Sequence, residues 1–246
     1  MAMADLDMNR TLRRSLAAAA AVLAVVLAPA ARSERAVGPL ATNEPAHRPD
    51  ARRADFGGRE ASPQVRHVAD WVAHSGDNGD AEFLLLDKAH ATLYVFDVEA
   101  RLRDATPVLL GLTRGDRSVE GIGTRPIAEV RPHERTTPAG RFIAERGRNA
   151  TGEDIVWVDY DLALSMHRVR ATQPKERRLQ RLASRTAADN RISYGCINVP
   201  VAFYEAVVKP TFASRRAIVY VLPEEQSAEQ VFGSYDVAAG RAASLR

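Results

Sequence analysis

Two runs near the middle of the chain constrain the fold most. Glu82-Phe83-Leu84-Leu85-Leu86-Asp87 and Thr92-Leu93-Tyr94-Val95-Phe96-Asp97 are short and β-prone, and only Lys88-Ala89-His90-Ala91 separates them. Such a pair predicts a hairpin. Similar short runs recur downstream: Pro107 to Gly111, the turn Thr136-Thr137-Pro138-Ala139-Gly140-Arg141-Phe142 entering a strand, Asp154 to Asp159, Leu162 to His167 and Ala217 to Leu222. Glycine-containing loops punctuate them, as between Gly115 and Gly123. Many short strands with few helices predict a mostly β fold, a sandwich or barrel with a few short helices, over residues 63–224. No internal repeat is present.

Helical signals are sparse. Ser62-Pro63 reads as an N-cap followed by proline at the first helical position, and Val65, Val68, Ala69, Val72 and Ala73 keep helical spacing up to a stop at Gly76. Val201 to Val208 reads as a helix broken at Pro210. The charged stretch from Pro174 to Ala187 has helical composition but no apolar face, and reads as a surface insertion. Residues 31–62 are rich in Arg, Ala, Pro and Gly without apolar periodicity, which predicts a disordered linker; residues 225–246 read as a peripheral tail.

The amino terminus sets the compartment. Arg10, Arg13 and Arg14 precede an apolar run from Leu16 to Leu27 and the small residues Ala28-Pro29-Ala30-Ala31. This is the order of a signal peptide over residues 1–30, and the run is short for a membrane span, so membrane attachment is expected only if the segment stays uncleaved. The 246 residues fit one sizeable domain plus tails. Their net charge of +3, from 34 Lys and Arg against 31 Asp and Glu, suits an anionic surface but is no clustered basic face, so no nucleic-acid partner is expected.

An exported chain makes its one cysteine informative. Cys196 lies in Arg191-Ile192-Ser193-Tyr194-Gly195-Cys196-Ile197-Asn198-Val199-Pro200. With no second thiol it can close no internal disulfide, which leaves it either a buried apolar group or a group that is used. A thiol nucleophile needs a base or cation to hold it as thiolate and donors for an oxyanion. His167, ending a β-run, is the candidate base. The N–H groups of Gly195 and Cys196 are the candidate donors, since Gly195 has no side chain to obstruct a substrate. The other histidines, His47, His67, His74, His90 and His133, read as solvent-facing or structural. No pair of them has metal-ligand spacing, so no metal is expected.

Ser193-Tyr194-Gly195-Cys196-Ile197-Asn198 resembles the signature of L,D-transpeptidases, the YkuD-type catalytic domain, in which a histidine precedes Ser/Thr-His-Gly-Cys, an apolar residue and Asn or Arg. The resemblance extends to the opening hairpin, the Thr137-Pro138-Ala139-Gly140-Arg141-Phe142 segment and His167. It implies an L,D-transpeptidase-like β fold and a cysteine acyltransferase acting on peptidoglycan stem peptides. Cys196 is then the group that forms a thioester, His167 its base, and Ser193, Gly195 and Asn198 site-shaping residues. No cofactor is implied. The acceptor is a second stem peptide or a wall-attached lipoprotein; with water as acceptor the same acyl-enzyme gives an L,D-carboxypeptidase or amidase. Tyr194 stands where the family has a second histidine, and a phenol is no base near neutrality. That departure also motivates a catalytically silent wall-binding module. Arg168 and Arg191 are expected to pair with stem-peptide carboxylates.

Overall fold

The computed structural model describes residues 52–213 and 216–238. The expected signal segment, most of the linker and the end of the tail lie outside the described residues. No helix among the described residues is long and apolar enough to cross a membrane.

The fold is mostly β. Along the chain run α1 (Pro63–Ser75), β1 (Phe83–Asp87), β2 (Thr92–Phe96), β3 (Leu102–Pro107), β4 (Leu110–Gly111), β5 (Gly140–Arg148), β6 (Asp154–Asp159), β7 (Leu164–Arg168), α2 (Arg178–Leu182), β8 (Arg191–Ser193), β9 (Ile197–Val199), α3 (Val201–Phe203), α4 (Lys209–Thr211), β10 (Ala217–Val221) and α5 (Ala228–Phe232). Eight strands form one mixed sheet in the order β3-β2-β1-β10-β5-β6-β7-β9, and β4 pairs with β8. The two ends of the large sheet approach each other. Just beyond β3, Leu109 exchanges two 2.9 Å backbone hydrogen bonds with Asn198 of β9, so the sheet is nearly closed.

Every residue of β1 and β10 is buried because alternate side chains enter two different cores. Leu84, Leu86, Leu93, Val95, Val219 and Val221 meet Met166, Ile197, Tyr204 and Val208 on one face. Phe83, Leu85, Tyr94, Phe96, Ile218 and Tyr220 meet α1 on the other. Each such side chain contributes roughly 1.5–3 kcal/mol of transfer free energy. The central strands are therefore fixed from both sides.

The hairpin of β1 and β2 and the caps of α1 stand where the sequence puts them. The Ser62 hydroxyl accepts the Val65 N–H at 3.2 Å, and Gly76, at φ 69°, closes the helix by donating to the Val72 carbonyl. Other readings are corrected. The third strand is Leu102–Pro107, with only Leu110–Gly111 left of the expected run as a separate short strand. Pro210 does not break its helix: α3 runs through a π-helical turn (Tyr204–Val208) into α4, and the widened turn accommodates the missing proline N–H.

The domain is also longer than 63–224. Phe56, placed in the linker by composition, is buried with its ring edge-on to Phe96 at 5.4 Å, and Asp55 bridges to Arg101. In the expected tail, Phe232 stacks on Trp71 at 6.4 Å, and Ser234 bonds the half-buried His67 at 2.9 Å. Phe56 and Phe232 pack these polar segments onto the second core, which an average over composition conceals.

Candidate active site

Parallel pairing of β7 with β9 brings Cys196 to His167. The register sets Met166 opposite Ile197 and His167 opposite Asn198, so Cys196, just before β9, falls beside Ser165. Alternation along β7 does the rest. Leu164 and Met166 enter the core, while Ser165 and His167 share the opposite face. The Ser165 hydroxyl donates to Cys196 Sγ at 3.4 Å, and Sγ lies 3.6 Å from the Ala163 carbonyl.

Burial pushes the half-buried Cys196 thiol up. A hydrogen bond from His167, the positive charge of that ring and hydrogen bonds from the Ser165 side chain and backbone outweigh burial, and the thiol lies below its ordinary value. The His167 tautomer follows from its other contact. Nδ1 is 2.8 Å from the Arg168 carbonyl oxygen; a carbonyl only accepts, so Nδ1 carries the hydrogen and Nε2 takes no part in that bond.

The backbone around the cysteine is tied down by the residues of the motif. The Ser193 hydroxyl donates to the Cys196 carbonyl at 2.7 Å and accepts the Gly195 N–H at 3.1 Å. The Asn198 amide also donates to the Cys196 carbonyl, at 3.1 Å, while its oxygen accepts Arg178 Nη1 at 2.6 Å. Gly195 has φ 135°, and a Cβ there would stand 2.8 Å from the Thr136 carbonyl oxygen. Only glycine fits. The expectation of two oxyanion donors is corrected: Gly195 N–H is occupied by Ser193, whereas the Cys196 N–H has no hydrogen-bond partner among the described residues.

Tyr194 is 41% exposed, and the Arg135 guanidinium lies 3.9 Å from its ring centroid. The structure does not make Arg168 and Arg191 ready for a ligand. Arg168, one residue past His167, has the parity of Met166 and so lies on the other side of the strand. It bonds Glu205 at 2.5 Å and the Asp154 carboxylate at 3.2 Å and covers the Tyr204 ring at 4.3 Å. Arg191 is buried against Glu224 and donates to the Lys88 carbonyl at 2.8 Å. Both guanidiniums serve the fold. Among the described residues no three His, Cys, Asp or Glu side chains are gathered as a metal ion would require.

Sequence reasoning missed Ser165, although its two-residue spacing from His167 on one strand was the available signal. It read the 174–187 stretch as a surface insertion and did not connect it to the cysteine motif. There Leu182 packs on Leu109 and Val169, and Arg178 reaches Asn198. The contact that gives Arg178 its place is long-range and has no local signature.

No family model matches the chain, and no curated protein matches it. Solved structures do align. The helical cell shape determining protein Pgp2 from Campylobacter jejuni is 16% identical with a TM-score of 0.40, covering 64% of this chain and 55% of that one. The LD transpeptidase LdtMt1 in complex with imipenem is 16% identical with a TM-score of 0.34, over 58% of this chain and 60% of that one. The catalytic domain of the E. faecium L,D-transpeptidase is 15% identical with a TM-score of 0.29, over 58% of this chain and 98% of that one. The chain thus spans little more than half the length of Pgp2.

Proposed function

We propose that the protein is an exported cysteine acyltransferase of L,D-transpeptidase type, acting on peptidoglycan stem peptides. The observation that carries the reading is the surroundings of one sulfur. In the hexapeptide Ser193 to Asn198, the thiol is lowered by His167 and Ser165, and the adjoining Cys196 N–H has no hydrogen-bond partner among the described residues. A buried apolar thiol needs none of these. The arginine-led apolar segment at residues 10–27 supports export to the periplasm.

In the proposed reaction the Cys196 thiolate attacks the carbonyl carbon of a stem-peptide bond, and the Cys196 N–H receives the oxyanion. As the C–N bond breaks, the His167 imidazolium gives its Nε2 proton to the leaving amine, producing a thioester and a neutral ring. An acceptor amine then attacks the thioester and loses a proton to His167, and the C–S bond breaks to restore the thiolate and imidazolium. Arg168–Glu205 and Arg191–Glu224 hold the scaffold around the site.

Incubation with a carbapenem followed by intact-protein mass spectrometry tests the acyl-enzyme. A covalent adduct is expected on the unsubstituted protein and not on Cys196→Ala. No adduct on the unsubstituted protein sinks the reading. Muropeptide analysis then identifies the acceptor: new cross-links mark transfer to an amine, and shortened stems alone mark transfer to water.

A further inference from the structure

We propose that Thr137, braced by the buried Lys88, is a positioning residue that turns the Gly195–Cys196 peptide so that its N–H faces the developing oxyanion; the inference rests on the acyltransferase reading above. The Thr137 hydroxyl donates to the Gly195 carbonyl at 2.6 Å and accepts the Gly111 N–H at 2.9 Å, and it is completely buried. In a trans peptide the C=O and the following N–H point in opposite directions. Fixing the Gly195 oxygen on Thr137 therefore aims the Cys196 N–H away from Thr137, where no protein acceptor among the described residues takes it. Ser193 and Asn198 hold the next carbonyl along, that of Cys196. The peptide planes before and after Cys196 are thus both clamped.

Thr137 is itself held. Lys88 Nζ, with no exposed side-chain surface, donates to the Thr137 carbonyl at 3.0 Å, to the Gly115 carbonyl at 2.6 Å and to Asp116 Oδ1 at 2.9 Å. All three of its donors are used. The same residue's carbonyl accepts from Arg191, which begins the short strand leading to Ser193. One buried residue in the β1–β2 turn therefore braces both segments that grip the cysteine loop. The fit is close on the remaining side: a Cβ on Gly111 would stand 2.5 Å from the Arg135 carbonyl and 2.7 Å from the Thr137 nitrogen. Gly111 therefore packs its backbone directly against that of Thr137.

Positioning of an oxyanion donor and activation of a thiol are separable. Acylation by a carbapenem needs the oxyanion donor, whereas alkylation of Cys196 by iodoacetamide needs only the thiolate. Thr137→Val, close in shape without the hydroxyl, is expected to slow acylation about 10²-fold, as for loss of a preorganised donor, while alkylation stays within about threefold of the unsubstituted protein. Thr137→Ser, which keeps the hydroxyl, is expected to restore acylation to within about threefold. Unchanged acylation in Thr137→Val, an equal fall in acylation and alkylation, or failure of Thr137→Ser to restore acylation would each overturn the inference. If Thr137→Val does not fold, Thr137→Ser and Thr137→Ala decide the matter by the same two rates. Absence of a carbapenem adduct on the unsubstituted protein, with alkylation intact, rejects the acyltransferase reading and this inference with it.

Discussion

Lys88→Met should be costly although the residue lies outside the apolar cores. The change keeps the length of the side chain but removes an ammonium that lies 2.9 Å from Asp116 and 3.9 Å from Glu224, both carboxylates being almost fully buried. The Gly115 and Thr137 carbonyls lose their donor as well. Breaking a buried ion pair from one side costs about 3–5 kcal/mol. Asp116 retains the N–H groups of Glu224, Glu225 and Gln226 at 2.7–2.8 Å, so the lower end applies, about 3 kcal/mol. For a domain of this size that lowers Tm by about 6–12 °C. Thermal unfolding followed by circular dichroism measures it. In a double-mutant cycle, Asp116→Asn made in the Lys88→Met background should cost less than Asp116→Asn alone, because the partner charge is already gone. A Lys88→Met protein within about 1 kcal/mol of the original would refute the reasoning, since the buried carboxylates would then not depend on the lysine.

Three further outcomes follow from the same structure. Burial pushes the Asp116 carboxyl up, but the N–H groups of Gln226 and Glu224, the Lys88 ammonium and the Glu225 N–H outweigh it and bring it to about 2. Its contribution of about 2 kcal/mol is therefore fully present above pH 4 and lost as pH falls through 2, so acid titration of stability should show a loss in that window that Asp116→Asn lacks. Ser165→Ala removes a donor to the sulfur and should raise the thiol, slowing iodoacetamide alkylation at pH 7 by roughly threefold to tenfold and moving the midpoint of its pH profile upward. Tyr194→Ala should leave that midpoint in place, because the ring rests on Arg135 and is not among the groups that set the thiol; a shift of about one unit would show otherwise.

What the sequence disclosed depended on whether the deciding interactions were local. The opening hairpin, the caps of α1 and the strand holding His167 are short-range patterns, and each was legible from its own residues. Cys196 and His167 were legible as candidates, but their meeting depends on the β7–β9 register, which no window of sequence contains. Arg168 and Arg191 misled for the same reason. A guanidinium near a candidate nucleophile looks available until Asp154, Glu205 and Glu224 arrive from distant segments to occupy it. Thr137 is the sharpest case. Threonine at a turn before proline has an ordinary local explanation, and only tertiary structure sets its hydroxyl on the carbonyl before Cys196.

The register also settles what the tyrosine at position 194 leaves undone. The main groups that lower the thiol, Ser165 and His167, both come from β7. With φ at 135°, Gly195 turns the chain between Tyr194 and Cys196, so the two side chains diverge, one onto Arg135 and one toward β7. The Nδ1 of His167 is held by the next residue's carbonyl, which fixes the orientation of the ring on the face it shares with Ser165. Tyr194 itself lies on the exposed side of the loop, where its aromatic face meets the Arg135 guanidinium.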